Sequence, residues 1–233
     1  AEKNDGWLDE LVYDSTSHIP DRYFSLFNDT IRYYFTWNNG FNNKRTLLET
    51  DVNFSNYNSI NHCWRTELVK YNSNYSLGEQ VSGISSPKYN VGEGWVGNTH
   101  SKGGSYSENL NSSNYYNLGP NAHGEINVLS SNSSSANLDN NNHNTKLFYN
   151  NNLIFDTSYY GYKIFHVPFE VDINGISNST SIKHSIANIG QGTDYQHVAS
   201  ISLSYPHNTN FSSFSSINFS VPYFVNQKQR LSI

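Results

Sequence analysis

The stretch HVASISLSY, residues 197–205, decides the class of fold because it alternates two kinds of side chain. Every second residue from Ser200 to Ser204 is serine, while Ile201 and Leu203 between them are aliphatic. Side chains point alternately to the two faces of a β-strand. The pattern therefore predicts a strand with one buried face and one open face.

Similar stretches occur on both sides of this segment. Aromatic and β-branched residues, separated by turn-forming residues, predict further strands. The predicted strands cover residues 30–37 and 45–54 (a hairpin), 63–71, 125–129, 145–149, two strands within 153–173, and 217–225. Residues 78–124 are rich in Gly, Asn, Ser and Tyr, and we expect long loops there.

Short strands with little helix predict a mainly β fold. We expect a jelly-roll-like antiparallel β-sandwich with a short N-terminal α-helix. Residues 1–28 are expected to form an N-terminal helical arm, and residues 29–233 one β-sandwich domain. A chain of 233 residues lies within the range in which such sandwiches form a single domain.

The predicted helix is amphipathic. Trp7, Leu8, Leu11 and Val12 share one face, and two acidic residues between them lie on the other. This apolar face could pack on the chain's own sandwich, which is the commoner fate, or it could contact another subunit. Our hypothesis is the second, which makes these four residues an assembly helix.

The composition points to self-association. The aromatic fraction is 15%, but charged residues make up only 14%, against about 25% in ordinary globular proteins, and the net charge is −5. Asn and Ser take the place of charged residues, so the surface is mostly neutral amide and hydroxyl. Charge is the ordinary device that keeps proteins apart. We therefore expect copies of this chain to pack together.

Two motifs resemble catalytic or cofactor sites but lack the required context. Gly92, Gly94 and Gly97 fit the spacing of a dinucleotide-binding loop, yet no buried strand precedes them and no helix pattern follows. His62 and Cys63 are adjacent, and neighbouring strand residues point to opposite faces, so they do not form a nucleophile and its base.

The nine histidines are spread along the chain without the close spacing of a metal site. The nearest candidates for ligand pairs are Asp139 with His143 and Asp194 with His197. A carboxylate pair for sugar hydrolysis leaves no local signature, so the sequence does not exclude one. We nevertheless expect no enzyme, no catalytic or metal site and no required cofactor. The sequence holds neither an apolar span for a bilayer nor a basic cluster, so we expect no membrane and no specific nucleic acid as partner.

Three stretches carry a resemblance to a known family. Residues 161–170 (GYKIFHVPFE), 188–192 (NIGQG) and 198–205 resemble the polyhedrins of cypoviruses, which form crystalline occlusion bodies in infected insect cells. The resemblance implies jelly-roll trimers packed into a lattice around virus particles in the host cell cytoplasm, and dissolution in an alkaline gut. Some members hold nucleotides, so the resemblance allows a bound nucleotide without placing its site.

The function expected first is therefore a self-assembling structural protein that forms an occlusion-body matrix. Two alternatives stay open. An icosahedral capsid protein fits the same fold and the apolar residues 221–225. A secreted carbohydrate-binding β-sandwich module would use an exposed Trp37, Trp64 or Trp95 to stack on sugars.

Tyrosine suggests how such an assembly would dissolve. A phenol is neutral below a pKa of about 10 and serves as donor, acceptor and apolar ring in a contact. Ionisation above that pH adds negative charge and favours dissociation, which we expect near pH 10 to 11 by this estimate. The candidate residues for alkaline release lie in clusters: Tyr33, Tyr34, Tyr115, Tyr116, Tyr159, Tyr160 and Tyr162.

Overall fold

A computed structural model describes residues 20, 53, 55, 57–79, 91–131, 143–189, 192–212, 214–222 and 229–231. Thirteen strands lie in these parts, and one 3-10 turn covers Ile173–Gly175. In chain order the strands are β1 Asn58–Ile60, β2 His62–Lys70, β3 Asn74–Leu77, β4 Glu93–Val96, β5 His100–Ser101, β6 Ser105–Asn111, β7 Ala122–Ser130, β8 His143–Tyr149, β9 Asn152–Tyr159, β10 Lys163–Val171, β11 Ser179–Ile186, β12 Tyr195–Asn208 and β13 Gln229–Leu231.

The eight longer strands form two antiparallel sheets. The first sheet has the order β10-β7-β12-β2, with β5 also paired to β12, and the second has the order β6-β11-β8-β9. Among these eight, the first strand along the chain pairs with the last, the second with the seventh, the third with the sixth and the fourth with the fifth. A nested antiparallel ribbon folded into two sheets is a jelly roll, so the predicted antiparallel β-sandwich of jelly-roll type is confirmed.

The core lies between the two sheets. One cluster of buried side chains joins Ile126 and Ile201 of the first sheet to Leu147 and Ile182 of the second. Aromatic rings also pack across the gap, with Tyr149 and Phe169 at 6.3 Å between ring centroids. Ile201 and Leu203 of the alternating stretch point inward, as the sequence predicted. A register shift between Val198 and Ser200 turns Val198 inward and Ala199 outward.

The β3–β4 hairpin covers one end of the first sheet on its outer side. Val96 of the hairpin is buried against Leu129 and Ala199, which point away from the core. The backbone N–H of Gly97 donates to Val198 O at 2.9 Å, and a Cβ on Gly97 would lie 2.9 Å from that same oxygen. Glycine therefore permits this close approach. The remainder of the outer face holds the groove described below.

Most predicted strands inside the described residues are confirmed. The segments predicted at 63–71, 125–129, 145–149, 153–173 and 197–205 lie in β2, β7, β8, β9 with β10, and β12. The expectation of long loops over residues 78–124 is wrong, because β4, β5 and β6 lie there. The β6 sequence SYSENLN places Tyr106, Glu108 and Leu110 on the inner side and small polar residues on the outer side.

Other predictions differ from the structure or concern residues outside the described part of the chain. Strand β11 was not predicted. Residues 217–222 form a single bridge between Ser220 and Trp64 rather than the expected strand, because this segment runs along the edge of β2 and pairs at one position. The predicted helix carrying Trp7, Leu8, Leu11 and Val12 lies outside the described residues, and so does the predicted hairpin at 30–54 except for residue 53. Within the described residues, no helix has the length and apolar character that a membrane span needs.

Candidate functional site

A groove of about 700 Å³ crosses the outer face of the first sheet. Four strands supply its polar lining, which consists of Thr66, His123, Glu125, Glu170, Ser202 and Ser204. These side chains point outward because their neighbours along each strand, such as Leu203 and Val171, belong to the core. The serine face of the alternating stretch in β12 therefore forms the floor of the groove.

The floor is held by hydrogen bonds between strands. The hydroxyls of Thr66 and Ser204 lie 2.6 Å apart, although the two residues are 138 positions apart in the chain. Asn127, which is 2% exposed, donates to Ser200 Oγ at 2.8 Å and to Glu125 Oε1 at 3.0 Å. Its Oδ1 lies 2.5 Å from His166 Nδ1. These bonds fix the carboxylate of Glu125 before any ligand arrives.

Glu170 is fixed in a similar way. Asn121 Nδ2 donates to Glu170 Oε1 at 2.6 Å, and Asn121 Oδ1 accepts a bond from Ile173 N at 3.3 Å. Glu170 is paired with His123 across the β10–β7 ladder, and Glu125 is the next outward residue on β7. By sheet geometry the Cα atoms of Glu125 and Glu170 are roughly 7 to 8 Å apart. The groove thus presents two carboxylates on one face.

An aromatic strip leads into the groove. The rings of Trp64 and His123 are 5.0 Å apart, those of Trp64 and His62 are 6.2 Å apart, and His62 stacks on Tyr116 at 5.7 Å. Two backbone hydrogen bonds between Trp64 and Ser220, of 2.8 and 2.9 Å, hold this end of β2. Burial lowers the pKa of His62, so its ring is neutral near pH 7. Trp64 is half-buried, which leaves part of its ring open to a ligand.

Trp95 lies elsewhere. It belongs to β4, and its ring meets Tyr75 edge to face at 5.2 Å. Tyr75 donates to Glu93 Oε1 at 3.0 Å. These contacts hold the hairpin together, so Trp95 has a packing role. Trp37, the third candidate for sugar stacking, lies outside the described residues.

A buried polar cluster lies between the sheets, opposite the hairpin. Gln196 is its centre: Oε1 accepts from Thr145 Oγ1 at 2.5 Å and from His184 Nε2 at 2.9 Å, and Nε2 donates to Asp194 Oδ1 at 3.0 Å. His143 Nδ1 lies 2.9 Å from Asp194 Oδ1, with both side chains fully buried. This contact lacks the geometry of a well-aligned hydrogen bond.

The predicted ligand pairs are therefore rearranged. Asp194, which directly precedes β12, contacts His143 between the sheets and not His197, because His197 faces the hairpin on the opposite side of the sheet. His197 Nδ1 instead contacts Gly97 O at 3.0 Å, and Nε2 contacts Ser131 Oγ at 2.9 Å, which anchors the hairpin. Asp139 lies outside the described residues. In the described part of the chain, no three acidic, histidine or cysteine side chains meet as a metal site would require.

Cys63 and the glycine motif have structural surroundings. Cys63 is fully buried, its Sγ contacts His207 O at 3.7 Å, and burial raises the pKa of its thiol. Gly92 lies in a turn with φ of 83°, and the next residues form β4 rather than a helix. A phosphate-binding loop would place a helix N-terminus there.

The five described alkaline-release candidates lie in different surroundings. Tyr159 is 7% exposed and packs inside the sandwich against His143 and Phe165. Burial raises its pKa, and burial also raises the pKa of Tyr162. Tyr115, Tyr116 and Tyr160 are half-buried. Tyr33 and Tyr34 lie outside the described residues.

Sequence reasoning identified Trp64 but missed the carboxylates and His123. The alternation of serine in β12 signalled an open face, but nothing local linked that face to Glu125 or Glu170. Their meeting depends on the register of β10 against β7. That register follows from the fold rather than from any motif.

Comparisons with known proteins give only distant similarity. No protein-family model and no curated protein sequence matches the chain. Among solved structures, the chain is similar to dimeric latent PorU from Porphyromonas gingivalis, with a TM-score of 0.46, 11% identity, and coverage of 65% of this chain and 13% of PorU. It is also similar to the CBM36-1 domain of a multidomain xylanase from the hindgut metagenome of Trinervitermes trinervoides, with a TM-score of 0.33, 12% identity, and coverage of 60% and 96%. Matches at this level assign no residue role to the chain.

Proposed function

We propose that this chain is a carbohydrate-binding β-sandwich module that holds a glycan in the groove on the outer face of its first sheet. The observation that carries the proposal is the continuity of an aromatic strip with a polar floor: Trp64 meets His123 at 5.0 Å, and His123 lines the groove beside Glu170. Sugars present both apolar C–H faces and hydroxyl groups. The groove offers a partner for each.

The chemistry of the lining suits sugar hydroxyls. Carboxylates accept hydrogen bonds from hydroxyls, and serine and threonine both donate and accept. Hydrogen bonds to a charged group are roughly twice as strong as neutral ones. Aromatic rings supply contact area at a small cost in side-chain entropy. Because Asn127 and Asn121 already fix the carboxylates, binding needs little reorganisation of the protein.

The test is affinity electrophoresis and calorimetry with soluble polysaccharides and oligosaccharides. We expect Trp64→Ala to weaken binding at least tenfold, because the stacking surface is lost. Trp95→Ala is the matched control, since it removes the same side chain from the hairpin, and it should leave the affinity within about twofold after its folding is checked by circular dichroism. No binding by the unchanged protein to any glycan tested would refute the proposal.

The proposal is of binding without turnover. Incubation of oligosaccharides with the protein should release no reducing sugar above background. A hydrolysis rate abolished by Glu125→Gln or Glu170→Gln would instead make the groove an active site.

Self-assembly is the second candidate, and an edge strand favours it. In the described part of the chain, β9 pairs only with β8, and Leu153 on β9 is 53% exposed. A strand edge with an exposed aliphatic side chain is a template for pairing with a second copy. Assembly into a protective lattice, the function expected first from the sequence, would use this edge together with the predicted arm.

Sedimentation over a hundredfold range of concentration tests this candidate. Leu153→Lys should abolish association, since a charged side chain blocks pairing at an edge. Leu118→Lys, which changes an exposed leucine of a loop, should leave association unchanged. A protein that stays monomeric throughout, with or without the substitution, would remove self-assembly as its function.

A further inference from the structure

Ser131 and His197 form a contact that the proposed function does not use. Ser131 directly follows β7, and its backbone N–H donates to Tyr195 O at 2.9 Å, which continues the pairing of β7 with β12. This pairing brings Ser131 Oγ to 2.9 Å from His197 Nε2. On the far side of the ring, His197 Nδ1 lies 3.0 Å from Gly97 O. The two residues are 66 positions apart in the chain, so no local motif predicts the pair.

The two contacts of the His197 ring fix the direction of each hydrogen. A carbonyl oxygen can only accept, so Nδ1 carries the hydrogen and donates to Gly97 O. In the neutral ring Nε2 then holds the lone pair, and the Ser131 hydroxyl donates to it. Asn74 Nδ2 donates to the same Gly97 O at 3.0 Å and helps to hold that carbonyl in place. A hydroxyl that donates to an imidazole, with the imidazole oriented by a third group, is the arrangement of a nucleophile and its base.

The surroundings keep the ring neutral near pH 7. Burial lowers the pKa of His197, although backbone hydrogen bonds act in the opposite direction. Its titratable neighbours on other strands are His100 and His184, and burial lowers the pKa of both. A second acceptor, Tyr195 O, lies 3.3 Å from Ser131 Oγ, so the imidazole is the nearer acceptor for the hydroxyl.

The pair lines a pocket of about 330 Å³ beside the β3–β4 hairpin. Asn74, Thr99 and Tyr162 supply polar groups to this hairpin pocket, and Leu77 and Val96 supply apolar surface. Its volume is at the lower end of the range of about 300 to 1,000 Å³ that is usual for small-molecule sites. The hairpin pocket therefore suits a small molecule with both polar and apolar parts.

We propose that Ser131 is a nucleophile activated by His197, and that the pair hydrolyses small carboxylic esters that enter the hairpin pocket. Ser131 Oγ bonds to the ester carbonyl carbon, and its proton passes through His197 Nε2 to the departing alkoxide. Water then attacks the acyl-serine, again with Nε2 as base, which releases a carboxylic acid and restores the hydroxyl. This inference goes beyond the proposed function, because it concerns a separate pocket and does not require glycan binding.

A fluorophosphonate probe and p-nitrophenyl acetate test the pair in the full chain. The probe bonds stably to an activated serine, and peptide mass spectrometry should locate it on Ser131. Ser131→Ala should abolish both the labelling and the ester hydrolysis. Ser177→Ala is the matched control and should leave both unchanged, because the Ser177 hydroxyl donates to a carbonyl, Ser179 O, at 2.7 Å. Absence of label on Ser131 in the unchanged protein would overturn the proposal.

His197→Gln distinguishes a base from a structural contact. A glutamine amide can still donate to Gly97 O, but it does not take up the serine proton. We expect the labelling rate to fall by about 10²- to 10⁴-fold, the usual contribution of a general base, while circular dichroism shows an unchanged fold. Equal labelling rates in this variant and the unchanged protein would overturn the role of His197.

The pH profile of labelling by the unchanged protein is a second measurement of that role, and it needs no variant. The rate should hold from pH 8 down to the ordinary imidazole pKa of 6.5 and fall only below it, because burial lowers the pKa of His197. The other titratable groups of the lining, Tyr75 and Tyr162, are phenols, which are ordinarily neutral below about pH 10. A rate that has already fallen by half at pH 6.5 or above would contradict a buried, neutral base.

Discussion

Gly124 of β7 lies where the Phe169 ring of the neighbouring strand β10 packs over its backbone, within the first sheet. A Cβ at this position would lie 2.3 Å from Phe169 Cζ and 2.4 Å from Ser202 O, both well inside contact distance. Only a residue without a side chain therefore lets the Phe169 ring cover the strand. The same ring backs the groove, so packing in the core and the shape of the groove depend on one position.

We expect Gly124→Ala to lower the free energy of unfolding by about 1 to 3 kcal/mol, the usual range for an overpacked core. Urea titration followed by tryptophan fluorescence would measure the change. Gly175→Ala is the control, because a Cβ there meets only Val171 Cγ1 at an ordinary 3.7 Å. Equal stability of the two variants would contradict the close packing at Gly124.

His184 makes the fold sensitive to acid. It is buried between the sheets, and burial lowers its pKa to about 4, although its bond to Gln196 acts in the opposite direction. The unfolded chain takes up a proton near the ordinary pKa of 6.5, whereas the folded chain resists it down to about 4. Stability is therefore lost as the pH falls from about 6.5 towards 4, by up to about 1.4 kcal/mol for each pH unit.

His184→Gln should reduce the slope of the free energy of unfolding against pH over this range. The reduction corresponds to at most one proton per molecule. The measurement is the free energy of unfolding at several pH values from 7.5 to 4.5. His123→Gln, which replaces an exposed histidine, is the matched control. An unaltered slope in the His184 variant would show that its ring takes up a proton without opening the fold.

Individual residues show which features can be predicted from the sequence and which cannot. The outward serines of β12 and the inward Ile201 and Leu203 were predictable, because alternation along one strand needs no partner. The contact of Asp194 with His143 was not, because it joins β8 to the start of β12 across the sandwich. Spacing along the chain had suggested Asp194 and His197 as a pair of metal ligands. In the structure these two side chains lie on opposite sides of the sheet.

At the scale of elements, tyrosine side chains connect the two sheets where the edge strands β2 and β6 lie. The hydroxyl of Tyr71, just beyond β2, lies 2.9 Å from the hydroxyl of Tyr106 on β6, and these hydroxyls donate to Glu108 Oε2 at 2.8 and 2.5 Å. Burial, followed by its bonds to Tyr106 and Glu108, raises the pKa of Tyr71. An ionised Tyr71 would face the carboxylate and open this edge.

Alkaline pH should therefore weaken the fold itself. The unfolded chain loses phenolic protons near pH 10, while folded Tyr71 retains its proton, so stability is present below about pH 10 and is lost above it. Tyr71→Phe should cost about 1 to 2 kcal/mol at pH 7 through the lost bonds and then show a shallower decline above pH 10. Unfolding titrations from pH 7 to 11.5 would measure both effects, with Tyr160→Phe as control.

This result bears on the predicted alkaline release. Tyr159, one of its candidates, packs within the sandwich, and burial raises its pKa as well. Its ionisation would act on the fold of one chain before it acted on a contact between chains. Release by ionisation at a contact stays a prediction for the remaining candidates.

Strand β6 explains why the loop prediction failed. Its sequence contains one aliphatic residue, Leu110, which is 2% exposed, while Tyr106 and Glu108 complete the inner side. A strand at the edge of a sheet pairs on one side only, here with β11, and needs fewer apolar residues than a central strand. A prediction from composition alone therefore assigns such an edge strand to a loop.

At the scale of the whole molecule, the eight jelly-roll strands all lie within residues 62–208. The main buried cluster lies between Leu110 and Tyr205. We therefore expect a fragment of residues 57–231 to fold cooperatively, with one urea transition and a β-type circular dichroism spectrum. A shorter fragment of residues 72–231 lacks β2, exposes one side of β12 and should not fold. An unfolded longer fragment would place an essential part of the domain in residues 1–56.

The nested pairing also sets an order of events during synthesis. The innermost hairpin, β8 with β9, has both its strands outside the ribosome long before β12 emerges, whereas β2 must wait for β12 as its partner. Closing a short loop costs less entropy than closing a long one. We therefore expect strand pairing to begin at the β8–β9 hairpin and to end with the pairing of β2 and β12. Until β12 emerges, β2 lacks its partner strand, and we expect this nascent segment to be accessible to a chaperone on the growing chain.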